Sequence, residues 1–145
     1  MKVCIALTSL ALALLEACSS TSLAPKGWQP IPGATDAWSS GSGANAQEYR
    51  YSKSPFGGSL QDLASSVTID ALTRYRGAKF QRSTPFPPCP GAAGVAAFRL
   101  ANGRMLQEAF AVRDGQAIRI RYSRPAEAAL DPAAVQAMQT ALCTL

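Results

Sequence analysis

Val95 to Tyr122 holds two turn signals, Asn102-Gly103 and Asp114-Gly115, set between three apolar runs. Asn-Gly and Asp-Gly in that setting mark tight hairpin turns, because a type I′ turn needs positive φ at both central residues. The stretch is therefore expected to be a three-strand antiparallel meander. A two-residue turn at Asn102-Gly103 pairs Ala101 with Arg104, and one at Asp114-Gly115 pairs Arg113 with Gln116. In that register one face carries Ala96, Phe98 and Leu100, then Met105, Gln107, Ala109 and Ala111, then Ile118, Ile120 and Tyr122. It is almost wholly apolar, and its small central Ala residues call for a closely packed helix. The other face carries Val95, Ala97 and Arg99, then Leu106, Glu108, Phe110 and Val112, then Arg119, Arg121 and Ser123. There Glu108 is expected opposite Arg121 as an ion pair, and Phe110 opposite Arg119 as a cation–π pair. This mixed face is expected to be partly solvated, or partly covered by the segment that precedes the domain.

The flanks supply the partners for the meander. Gln47 to Ser52 alternates polar and aromatic residues and reads as a strand. Ser59 with Asp62 three residues on approximates a capping box, and Leu60, Leu63, Ala64, Val67 and Ala71 fall on one helical face. That helix is expected to end between Ser66 and Arg74. Ala78 to Ser83 reads as a short strand. Pro85 to Gly91 holds four Pro and is expected to run extended towards Cys89. Asp131-Pro132 is an N-cap followed by Pro at the first helical position. It opens a helix over Ala133 to Thr144 with Val135, Met138 and Leu142 as its stripe. The expected fold class is α+β: an antiparallel sheet with a three-strand C-terminal meander, packed by two helices.

The N-terminus reads as a leader. Met1-Lys2 is a short positive start, and Val3 to Leu15 is an apolar run of signal-peptide length, too short to span a bilayer comfortably. Leu15-Glu16-Ala17-Cys18 follows, then Ser19-Ser20-Thr21-Ser22. These residues resemble the lipobox of bacterial lipoproteins, with Glu16 standing where a small or apolar residue is usual. The resemblance covers the leader alone. It implies a signal peptide over residues 1–17, palmitate-type acyl chains on Cys18, and the membrane as a partner through that lipid. Ser19, rather than Asp, implies the outer membrane in a Gram-negative cell envelope. Read without the resemblance, the same residues also fit an ordinary secretory signal ending near Ala17.

Residues 18–46 are rich in Ser, Gly, Ala and Pro and are expected to form a flexible tether to a single domain at 47–145. Trp28 and Trp38 interrupt that composition. They either fold back over the domain or offer exposed aromatic contacts, and the residues leave both readings open. Cys89 and Cys143 form an even pair in the body, and an exported chain makes such a pair a disulfide. In element order the body is distantly similar to PsbP/Mog1-like α+β domains, a similarity that carries no motif and transfers no functional residue.

Composition narrows the chemistry. There is no His, which removes the commonest general base, the Ser-His and Cys-His nucleophile pairs and most zinc sites. The nine carboxylates are scattered and no phosphate-binding loop is present. No enzyme, cofactor, metal or nucleic-acid partner is expected. The formal charge is +5, and ten of the fourteen basic residues are Arg. Arg99, Arg119 and Arg121 share the mixed face and form a candidate anion-binding surface. The expected role is non-catalytic binding or structure, with an envelope protein as a candidate partner. The alternatives are an anion- or lipid-binding module using the Arg face, and an inhibitor of an extracellular hydrolase.

Overall fold

Capping and periodicity account for the helices that flank the sheet. The structure is a computed structural model and describes residues 23–144; the expected leader and Cys18 lie outside the described residues. Helix α1 spans Leu60–Arg74. The Ser59 hydroxyl accepts from the Asp62 amide at 3.1 Å, and the Asp62 carboxylate accepts from the Ser59 amide at 2.8 Å. This reciprocal box satisfies two amides that would otherwise be unpaired. Helix α2 spans Pro132–Gln139, and its last turn widens into π-type bonding over Thr140–Thr144. The Asp131 carboxylate caps it by accepting from the amides of Ala133 at 2.8 Å and Ala134 at 3.3 Å.

Seven strands form one antiparallel sheet: β1 Gln29–Pro30, β2 Ala37–Ser40, β3 Gln47–Pro55, β4 Lys79–Pro85, β5 Ala93–Arg99, β6 Arg104–Arg113 and β7 Gln116–Pro125. Their spatial order is β1-β2-β3-β7-β6-β5-β4. The β6–β7 turn has the expected form. Asp114 and Gly115 both have positive φ, and Arg113 lies opposite Gln116. Glu108 accordingly faces Arg121 and Phe110 faces Arg119.

The β5–β6 turn differs from expectation by one residue. Arg99 pairs with Met105, and the Leu100 amide donates to the Arg104 carbonyl at 2.8 Å, so Ala101, Asn102 and Gly103 form a three-residue loop. Gly103 is left-handed at φ +81°, whereas Asn102 is not, which is the pattern of a type I turn closed by a glycine bulge. A slip of one residue exchanges every side chain between faces. Ala96 and Phe98 therefore join Leu106, Glu108 and Phe110, while Val95, Ala97 and Arg99 join the Ala109 and Ala111 face.

Each face is closed by its own helix. Leu63, Val67 and Ala71 of α1 pack on Ala96, Phe98, Leu106, Phe110 and Ala117. The mixed face is thus covered over β5 and β6 by α1, not by the N-terminal segment. At Gly94 an added Cβ would lie 2.7 Å from the buried Phe110 ring, so glycine is what lets that ring sit flat on β5. On the other face Ala134, Ala137, Met138, Ala141 and Leu142 form one cluster with Ala109, Ala111, Ile118 and Ile120. The small strand residues admit the helix closely, as their pattern implies.

The described part of the expected tether belongs to the domain. β2 pairs with β3 and β1 with β2. Trp28 is buried and meets Tyr49 and Tyr122 at ring-centroid distances of 6.3 and 6.1 Å. Trp38 lies 6.0 Å from Tyr49. Low aliphatic content suggested a linker, but aromatic area and strand pairing hold this segment in place. The Pro-rich run also differs from its expected extended form. The Cys89 amide donates to the Phe86 carbonyl at 3.1 Å, with Pro87 and Pro88 at the central turn positions where no donor is needed. Cys89 and Cys143 form a disulfide that ties this turn to the end of the chain beyond α2.

Candidate functional site

The mixed face assembles a charged cluster. Glu108, on the interior strand β6, is only 1% exposed. Its Oε1 accepts from Arg121 Nε at 2.7 Å and its Oε2 from Arg119 at 3.5 Å. Asp70 on α1 accepts from Arg119 at 2.9 Å, and Arg121 lies 3.6 Å away. Arg74, one turn along α1, adds a 3.5 Å contact to Asp70. Two carboxylates therefore face Arg119 and Arg121, which is what lets a carboxylate sit in the sheet at this depth. Burial alone would raise the Asp70 carboxyl, but the Arg119 hydrogen bond and the charges of Arg119, Arg74 and Arg121 outweigh it and hold it below the usual range. For Arg121, burial works against the charged form, while Glu108, with Tyr75 and Asp70, more than restores it.

Asp70 was not assigned a role from the sequence. Its spacing carried a signal, because Leu63, Val67, Asp70 and Arg74 run along one side of α1 at helical intervals. The expected Phe110–Arg119 cation–π pair does not form. Phe110 is packed under α1 with Leu63 and Val67, and Arg119 turns to Asp70. Arg121 instead stacks on Tyr75, 5.8 Å from the ring centre.

Other meander arginines bind backbone carbonyls. Arg104 donates to Ala46 at 2.6 Å and to the Ser123 hydroxyl at 3.1 Å, fastening the segment before β3 to the sheet. Arg113 donates to the Leu142 carbonyl and Arg124 to the Ala128 carbonyl. Of the three candidate anion-binding residues, Arg119 and Arg121 are brought together, and both are ion-paired. Arg99 is exposed on the opposite face, where the one-residue change of register puts it.

That opposite face holds a groove of about 330 Å³ which sequence reasoning did not find. Its floor is strand surface. Arg82 of β4, Ala97 of β5 and Gln107 of β6 lie in one cross-strand row, and Thr84 and Val95 lie in the next. Val135 and Met138 of α2 form one wall, with Leu130 before it. Phe86, Pro87 and Pro88 form the other. The two walls are distant in sequence, and the Cys89–Cys143 disulfide holds them together from one end. The parts become adjacent through the β4–β5 hairpin, the packing of α2 on the sheet and the bridge, so no local pattern announces the groove. A larger hollow of about 400 Å³, between the start of α1 and β4, has no charged side chain in its lining.

Five of the eight described carboxylates have structural partners or positions. Asp62 and Asp131 cap helices, Asp70 and Glu108 hold the arginines, and Asp114 occupies the β6–β7 turn at φ +50°. Among the described residues no cluster of three or more His, Cys, Asp or Glu side chains could hold a metal ion. No helix among them is long and apolar enough to cross a membrane. Comparison with protein-family models and with curated proteins gives no match for this chain.

Proposed function

We propose that this chain is a lipoprotein of the bacterial cell envelope, anchored through acyl chains on Cys18, whose domain binds a ligand and does not catalyse a reaction. The groove is its binding site. The observation that carries the reading is the groove's construction: an apolar concavity of small-molecule size, with a few polar groups on its floor and walls tied by a disulfide. The disulfide also suits the oxidising compartment that the leader implies. Each carboxylate named above already has a structural role, and no His is available to act as a base.

Two measurements test this reading. Cys18→Ser should move the protein out of the membrane fraction, and unchanged retention would reject the anchor. A photoreactive amino acid at Leu130, on the groove rim, should give a covalent adduct in cells. The same group at Gln136, exposed on α2, should not give that adduct. Equal labelling from both positions, or none from either, would reject the groove as the site.

A further inference from the structure

Resting on that reading, we infer that the groove takes a single-chain amphiphile with an anionic headgroup, its acyl chain against α2 and its head against Arg82. The groove is polar at one end and apolar at the other. At the polar end, Arg82 and Gln107 flank the small Ala97, which leaves room between a guanidinium and an amide. Arg99 and Lys79 are paired in the next row along the same face, beyond the β4 bulge between Phe80 and Arg82. Three cations thus gather at this end. No carboxylate lines the groove, and none lies in ion-pair range of Arg82, Arg99 or Lys79 among the described residues. This is the reverse of Arg119 and Arg121, whose charges are already matched.

Away from the cations the lining turns apolar, through Val95, Val135 and Met138 to Phe86 and the two prolines. Methionine adapts to chains of different shape, and the disulfide keeps the opposing wall in place. The volume of about 330 Å³ is at the low end for small-molecule sites, which favours one chain over two. A peptide would leave its backbone donors and acceptors unpaired against this apolar lining. An acyl chain has none to satisfy.

The test uses the full chain reconstituted in lipid nanodiscs and a diazirine-bearing palmitate as the probe. Cross-linked peptides should contain Val135 or Met138, or the Phe86–Pro88 turn. Excess palmitate or hexadecyl phosphate should displace the probe, and hexadecanol should not. Arg82→Gln combined with Arg99→Gln should weaken labelling about tenfold, as the loss of charge-assisted contacts to the head implies. Leu130→Asp, at a position already exposed, should reduce labelling without disturbing the fold, and Gln136→Asp should leave it unchanged. Equal competition by hexadecanol, or labelling outside the groove, would overturn the inference. An adduct at Leu130 in cells without palmitate labelling would overturn the ligand class alone. Absence of both would overturn the groove reading itself.

Discussion

Asp70 lies at the junction between α1 and the sheet, and it is the more exposed of the cluster's two carboxylates. It accepts from Arg119 at 2.9 Å with a third of its side chain exposed, so the pair is partly screened. Asp70→Asn should lower stability by about 1 kcal/mol at pH 7, measured by urea denaturation, since a hydrogen bond to a charged group is weakened and not abolished. The pH dependence has a definite sign. The folded carboxyl is held below its unfolded value of about 4, so its contribution is present above that pH and is lost as pH falls through the folded value. Asp62, lowered by the Ser59 hydroxyl and amide, acts in the same direction. The Asn variant should therefore lose less stability than the parent between neutral pH and pH 3. Parallel curves for the two proteins would show that Asp70 does not contribute to the acid limb.

At the scale of elements, the two hairpins show what local sequence can determine. Asp114-Gly115 was readable because positive φ at both positions leaves one register. Asn102-Gly103 fits either a two-residue turn or the end of a three-residue loop, with Gly103 left-handed in both. Hydrophobic alternation could not resolve this, because β5 carries apolar residues on both faces: Ala96 and Phe98 meet α1, while Ala93 joins the α2 cluster and Val95 and Ala97 floor the groove. The capping residues Ser59 and Asp131 were legible because a cap acts within three residues. The groove was not, because its walls meet only in the folded core and at the bridge between Cys89 and Cys143, separated by 54 residues. Closing a loop of that length contributes about 4 kcal/mol in the chain-entropy model. The double variant Cys89→Ala, Cys143→Ala should lose stability of that order and also lose groove labelling. Labelling that survives in a variant still folded at the assay temperature would show that the wall stays in place without the bridge.

For the whole molecule, the extent of the domain decides how binding relates to the membrane. A domain beginning at residue 47 would hang from a long linker. The structure instead places β1 and β2 in the sheet, and Arg104 holds the Ala46 carbonyl from across the meander. Trp28 covers Tyr49 and Tyr122 on the α2 face, where the Tyr122 hydroxyl donates to Gln47 and accepts from the Asp131 amide. The first strands, the last strand and the start of α2 thus meet at one aromatic junction. If that junction is part of the cooperative core, Trp28→Ala should cost about 3 kcal/mol, the usual penalty for removing a buried aromatic side chain. A tryptophan on a loose tether would cost almost nothing. Urea denaturation followed by far-ultraviolet circular dichroism separates the two outcomes, because it reports the whole sheet and not the indole. A large loss with one cooperative transition would put the domain's N-terminal boundary at or before Trp28. With Cys18 as the proposed anchor, only the residues between it and that boundary would then separate the membrane from the folded body. A midpoint unchanged from the parent would instead place Trp28 outside the cooperative core and move the boundary towards β2.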